Sequence, residues 1–186
     1  MMKKDILPRI LITLHALLNA RHSPTRCDVS TLLFIAENIL EDPTIDVVDI
    51  NEEGVESPTV NISLNILKNM HLIKEDNKGI IHLTSKGSFT VNDLLSSRKM
   101  LSLWKITYYL SKFSRKTLIS LASYIHCLIT KKYDKQQSKF PRGFTSQINS
   151  QMNNELIEYI KELFDALKDL VRKNSLKKPS KLKINF

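Results

Sequence analysis

The fold of this chain is decided by residues 57–87, which read SPTVNISLNILKNMHLIKEDNKGIIHLTSKG. Ser57 followed by Pro58 is typical of a helix start, because the serine hydroxyl can cap a backbone N–H and proline loses no hydrogen bond at the first helical position. The apolar positions first alternate as in a strand, but the pattern continues in helical phase to Leu67 and Met70. The stretch therefore predicts a helix that begins at Pro58.

This predicted helix has one polar side. At about 100° per residue, four long polar side chains fall within one arc and the large apolar residues lie outside it. One side can pack against a core, and the other can meet a partner. The four polar residues are Asn61, Asn65, Lys68 and Asn69.

A β-hairpin and a further helix follow. The β-prone runs Leu72–Glu75 and Ile80–Leu83 flank Asp76–Gly79, which has turn composition. Thr84 can then cap a helix that includes Gly87. The order helix, hairpin, helix start is one that few small folds use.

Helical periodicity accounts for most of the remaining chain. A six-residue run at Ile45–Ile50 is too short for a helix and is expected to form an edge strand that pairs with the hairpin. We expect a mainly α fold with a small β-hairpin. The helices are predicted at residues 5–20, from between Ser23 and Asp28 to about residue 40, at residues 87–110, from Ser114 onward, and at about residues 145–174.

The last predicted helix carries an apolar seam of little more than two heptads, which favours a bundle or a dimer contact over a long coiled coil. We expect homodimerisation here. The chain then divides into residues 1–90 and a helical interaction region at residues 91–186. The seam residues are Leu156, Ile160, Leu163, Phe164, Leu167 and Leu170.

Charge is distributed unevenly along the 186 residues, whose net charge is +9. Residues 1–93 contain 9 Lys and Arg against 13 Asp and Glu, and residues 94–186 contain 19 against 6. Cys27 and Cys127 lie far apart with no signal peptide before them, so free thiols and a cytoplasmic location are expected. No apolar run approaches the roughly 18 residues of a membrane span.

The sequence contains none of the common catalytic motifs. Phosphate-binding glycine loops, H-E-x-x-H and paired Cys-x-x-Cys are absent, and there are only four glycines. We expect no enzyme activity and no cofactor. His71 and His82 flank the hairpin, but a metal site would need further ligands.

The polar residues of this region suit nucleic acid. Asparagine can pair with adenine through two hydrogen bonds, a helix fits the major groove, and hairpin lysines can contact phosphates. The alternative is a solvent-exposed helix face, and both interpretations stay open. The candidate DNA contacts are Ser57, Thr59, Asn61, Asn65, Lys68, Asn69, Lys74, Lys78 and Lys86.

The helix, the hairpin and the ending Leu83-Thr84-Ser85-Lys86-Gly87 resemble the winged helix-turn-helix superfamily, including PadR-like and MarR-like regulators. This resemblance implies a winged domain, double-stranded operator DNA as partner, and a dimer formed by C-terminal helices.

Residues 5–90 also resemble the Panacea domain of SocA-like antitoxins. The residues that carry this resemblance are Leu32-Leu33-Phe34, the spacing Gly54-x-x-Ser57, Leu67 to Ile73, and Leu83-Thr84-x-x-Gly87. The resemblance implies an antitoxin or adaptor that binds a protein partner. In that alternative the acidic stretch from Glu37 to Glu56 meets a basic partner.

Overall fold

The computed structural model describes residues 6–133 and 154–173. The described chain is mainly helical and contains two small antiparallel sheets. In chain order its elements are α1 Ile6–Asn19, α2 Arg26–Ile39, β1 Asp49–Asn51, β2 Gly54–Glu56, α3 Pro58–Asn69, β3 Ile73–Glu75, β4 Ile81–Leu83, α4 Ser85–Leu94, α5 Arg98–Leu110, α6 Arg115–Tyr133 and α7 Asn154–Arg172.

The region quoted first folds as its sequence predicts. Ser57 caps α3 by accepting a hydrogen bond from the Val60 N–H, with Pro58 at the first helical position. Strands β3 and β4 pair antiparallel, with Ile73 opposite Leu83. The capping, proline and turn signals act within a few residues, which explains why the sequence alone revealed them.

Thr84 caps α4, and Gly87 follows in its first turn. A Cβ atom at Gly87 would lie only 2.0 Å from the Leu72 carbonyl oxygen. Glycine is therefore required where α4 crosses the start of the hairpin, because no other residue leaves space for that backbone approach.

Two expected elements differ from the structure. The strand expected at Ile45–Ile50 was to pair with the hairpin, but β1 at Asp49–Asn51 pairs instead with β2. Gly54 has φ +129°, and the Val55 N–H donates to the Thr31 hydroxyl of α2 at 2.8 Å. The chain thus folds back on itself against α2.

The helical run expected at residues 87–110 is divided into α4 and α5. Ser97 separates them by capping α5 through the Met100 N–H. The helix expected from between Ser23 and Asp28 begins after Thr25, which forms a capping box with Asp28. Of the helix expected at residues 145–174, residues 145–153 lie outside the described residues.

One hydrophobic core joins the described helices. Helix α1 packs against α2, α3, α4 and α5, and α6 packs against α2 and α7. Residues on both sides of position 90, among them Leu14 and Trp104, belong to the same buried cluster. Helices α4 to α6 are thus continuous with the core around α1 and α2. Among the described helices, none has the length and apolar character needed to cross a membrane.

Candidate nucleic-acid interface

The outer face of α3 carries two of the candidate asparagines. Val60, Leu64 and Leu67 of this helix lie in the core. Asn65 and Asn69 are exposed on the opposite side. The helix therefore offers two amide side chains to an approaching partner.

The start of α3 is closed to a partner. Ser57 is fully buried, and its hydroxyl donates to the Asp46 carboxylate at 2.9 Å. The backbone N–H of Thr59 donates to the same carboxylate, and Thr59 is half-buried. The expectation that Ser57 contacts DNA is wrong, because this hydroxyl is used to cap the helix inside the fold.

Asp46 gives this end of α3 a negative charge. Partial burial opposes ionisation, but hydrogen bonds from Thr59 and Ser57 lower the pKa of the Asp46 carboxyl below its ordinary value. Asp46 is therefore ionised at neutral pH. A phosphate would be repelled at the N-terminal end of this helix.

Arg26, the first residue of α2, joins three elements at the flank of α3. Its Nε donates to Glu75 of β3 at 2.9 Å, and its Nη2 donates to the Asn65 side-chain oxygen at 2.8 Å. Its Nη1 donates to the Asn61 backbone carbonyl at 3.2 Å. Asn61 and Lys68 are half-buried on this flank, and Lys68 pairs with Glu75 at 3.2 Å.

Glu75 is held in its charged form by this arrangement. The hydrogen bond from Arg26, then that from Lys68, lowers the pKa of the Glu75 carboxyl against the opposing effect of burial. Two cations thus share one carboxylate. The cluster Arg26, Glu75 and Lys68 keeps a net positive charge beside the exposed asparagines.

The β3–β4 hairpin carries two exposed lysines, Lys74 and Lys78. Its turn is held by the Asp76 carboxylate, which accepts hydrogen bonds from the backbone N–H groups of Lys78 and Ile80. His82 contacts Asp76 at 3.3 Å. Lys78 therefore projects from a turn that is fixed by its own hydrogen bonds, and Lys74 lies on strand β3.

Lys86 in α4 extends the basic surface to the end of α3. Its Nζ donates to the Met70 carbonyl at 3.2 Å, and the Thr84 hydroxyl donates to the His71 carbonyl at 2.6 Å. These bonds fix α4 beside the C-terminus of α3. The structure thus places Lys86 beside the C-terminus of α3, the helix that carries Asn65 and Asn69.

Large apolar side chains are also exposed in this region. Ile62 on α3 is 57% exposed, and Phe89 on α4 is 71% exposed. Met70 at the end of α3 is 44% exposed. Sequence reasoning placed Ile62 on the packing side, but the packed arc of α3 is narrower than its apolar composition indicates.

The seam of α7 is used inside the chain. Ile160, Phe164 and Leu167 are buried, and α7 packs against α6 and α2. The prediction that these three residues form a dimer contact is therefore wrong, because a side chain covered by its own chain is not available to a second copy. The other three seam residues, Leu156, Leu163 and Leu170, are half-buried.

The acidic face of the adaptor alternative is smaller than the sequence indicates. Glu37 is buried and pairs with Arg9 of α1, and Asp42 pairs with Arg9 and Lys99. Internal ion pairs thus take up the first part of the stretch. The exposed acidic residues that remain around β1 and β2 are Asp49, Glu52, Glu53 and Glu56.

Within residues 6–133 and 154–173, no three His, Cys, Asp or Glu side chains come together where they could hold a metal ion. His71 is exposed, and His82 contacts Asp76.

Sequence reasoning missed Arg26. The nearest residue of its network is 35 positions away in the chain, and a lone arginine in the first turn of a helix gives no sign of its partner. Only the packing of α2 beside α3 brings the residues together. Compared with family models, with curated proteins and with solved structures, this chain matches none.

Proposed function

We propose that this chain is a winged-helix DNA-binding transcriptional regulator, with α3 entering the major groove and the β3–β4 hairpin acting as the wing. The observation that carries the proposal is the exposure of Asn65 and Asn69 on the outer face of α3, which is followed by a hairpin with exposed Lys74 and Lys78. Amide side chains on a helix can read base edges, and lysines beside them can contact phosphates.

The charges also suggest how the duplex would lie. Asp46 and the exposed acidic residues of β1 and β2 surround the beginning of α3. Lys74, Lys78 and Lys86 lie on the hairpin and beside the end of α3. Because phosphates supply much of the affinity of such complexes, we expect the backbone contacts on the hairpin side.

Binding to random-sequence duplexes at several salt concentrations tests the proposal. The double change Asn65→Ala and Lys68→Ala should weaken binding. Lys78→Ala should weaken binding to all sequences alike and reduce the salt slope by about one. Lys161→Ala is the matched control, since this exposed lysine lies on α7, which packs against α6 and α2.

Unaltered binding by the Asn65 and Lys68 double variant would remove these residues from the role. Absence of duplex binding by the unaltered protein at low salt would reject the function.

A homodimer and a cytoplasmic location stay predictions. The free thiols of Cys27 and Cys127 suit a reducing compartment. A dimer would have to use surfaces other than the buried part of the α7 seam. Light scattering measures the state directly, with one chain at 21.4 kDa and a dimer at twice that mass.

A second candidate function is a protein-interaction module, as in the antitoxin or adaptor alternative. The exposure of Ile62, Met70 and Phe89 favours it, because large apolar side chains are costly to leave in water and are often covered by a protein partner. A stoichiometric protein complex that Phe89→Ser disrupts, together with no duplex binding at low salt, would support it. Duplex binding that Phe89→Ser leaves unchanged would favour the DNA function.

A further inference from the structure

The guanidinium group of Arg26 fixes the orientation of the Asn65 side chain. Arg26 Nη2 lies 2.8 Å from Asn65 Oδ1, and the same guanidinium is anchored to Glu75 by two hydrogen bonds, of 2.9 and 3.2 Å. A guanidinium only donates hydrogen bonds. The amide group facing it must therefore present its oxygen to Arg26 and its NH₂ group away from Arg26.

This orientation limits what Asn65 can recognise. Reading adenine requires an amide that accepts from the base N6 group and donates to N7 at the same time. With one lone pair of its oxygen used by Arg26 and its NH₂ group turned away, Asn65 presents its donors outward. Donors suit the acceptor edge of guanine, formed by O6 and N7, or the O4 atom of thymine.

Asn69 provides the contrast one turn later on the same face. It is exposed, and no side-chain hydrogen-bond partner is found for it among the described residues. Its amide can rotate to offer both an acceptor and a donor. The two asparagines thus differ in chemistry although they are the same residue type on one helix.

We propose that Arg26 is a positioning residue that sets base preference: it makes Asn65 a donor for guanine or thymine edges and leaves Asn69 to read adenine. The inference rests on the proposed DNA-binding function. Glu75 takes part by anchoring the guanidinium, and Lys68 shares the Glu75 carboxylate.

Selection from a randomised duplex library tests this inference. Asn65→Ala first identifies the base pair that Asn65 contacts, because the variant loses its base preference at that position of the selected site. Arg26→Met keeps the aliphatic stem but removes every donor. The preference at that base pair should then shift from guanine or thymine toward adenine by about tenfold, while the preference set by Asn69 stays unchanged.

Lys78→Ala is the matched control, because it removes one positive charge, as Arg26→Met does, but leaves the Arg26 network intact. It should lower affinity for all sequences and leave base preference unaltered. If Arg26 had a purely structural role, Arg26→Met would change the affinity for all sequences equally. It would not shift the base preference at one base pair.

Asn65→Asp gives a test that does not remove Arg26. A carboxylate still accepts from the guanidinium, so the network is retained, but it offers no donor outward. Preference at the same base pair should move to cytosine, whose N4 group donates. This shift would confirm that Asn65 contacts the base. If Arg26→Met proves unfolded by circular dichroism, the preference of the unaltered protein at that base pair decides the positioning role: guanine or thymine supports it, and adenine overturns it.

The outcomes separate the inference from the function it rests on. If the unaltered protein selects no duplex, the proposed function fails. If it selects a site but prefers adenine at the base pair of Asn65, the positioning role of Arg26 is overturned and DNA binding stands. The same holds if a folded Arg26→Met variant leaves that preference as it was.

Discussion

Two arginine-glutamate pairs of the same chemistry lie in different surroundings in this molecule. In the pair between Arg9 and Glu37, the side chains are only 4% and 1% exposed. In the pair between Arg26 and Glu75 they are 27% and 18% exposed. Both pairs join residues that are far apart in the chain, yet only the second lies at the surface beside the candidate DNA-reading face.

The buried pair holds several parts of the fold together. Arg9 also donates to the Asp42 carbonyl at 2.8 Å, and Glu37 accepts from the backbone N–H groups of Thr44 and Ile45. These bonds tie α1 and α2 to the loop after α2. Charges removed from water cannot exchange partners cheaply, whereas a partly hydrated pair can. Burial therefore separates a structural network from one that is able to respond to a ligand.

The largest expected effect comes from breaking the buried pair. Arg9→Met leaves the Glu37 carboxylate buried without its cation, and we expect a loss of about 3–5 kcal/mol in the free energy of unfolding. Urea denaturation measures the loss. Arg9→Lys is the control, since it keeps the positive charge. A loss below about 1 kcal/mol would mean that this network behaves like a surface pair.

Leu167 tests whether burial alone gives a large effect where no ion pair is present. Leu167→Asp places a carboxylate between α7 and α6, and we expect a loss of about 3 kcal/mol in thermal or urea unfolding. Half-buried Leu163→Asp should cost less. Suppose instead that Leu167→Asp halves the mass measured by light scattering and leaves the stability unchanged. The seam would then be a dimer contact, and α7 would not pack on its own chain.

His15 adds a half-buried group that can change its charge. The Trp104 indole N–H donates to His15 Nδ1 at 2.9 Å, and burial lowers the pKa of His15 to about 4. A histidine whose pKa is lowered by folding contributes its full stability at pH values above the pKa it has in the unfolded chain. That contribution is lost as the pH falls toward the pKa it has in the folded protein. We expect up to about 3 kcal/mol to be lost between pH 6.5 and 4.

Urea unfolding at pH 7, 5.5 and 4.5 measures this loss. His15→Gln, whose side-chain oxygen can still accept from Trp104, should remove the part of the pH dependence that His15 causes. An identical slope in both proteins would assign the loss of stability to other groups.

The smallest expected effect belongs to the exposed pair. Arg26→Met should lower the free energy of unfolding by only about 0.5–1 kcal/mol, because a partly hydrated ion pair contributes little. Urea denaturation of Arg26→Met and Arg9→Met under the same conditions gives the direct comparison. A loss equal to that of Arg9→Met would show that both networks are structural and would end the distinction between them.

The local features of the fold follow from the sequence alone. Ser57, Thr84 and Ser114 cap helices as predicted, and the hairpin turns at Asp76–Gly79. Each signal depends on groups within about four residues, so no knowledge of the rest of the chain was needed. The mainly helical composition and the exposed Asn65 and Asn69 follow from the same local periodicity.

Which side chains meet depends on how the helices pack in three dimensions. Neither the contact of Arg26 with Asn65, nor the burial of Glu37 by Arg9, nor the packing of α7 on its own chain could be read from spacing. Each depends on helices that lie far apart in sequence and pack through nonlocal apolar contacts. A local pattern reveals that a residue is polar or apolar, but the fold determines whether solvent, another helix or a partner covers it.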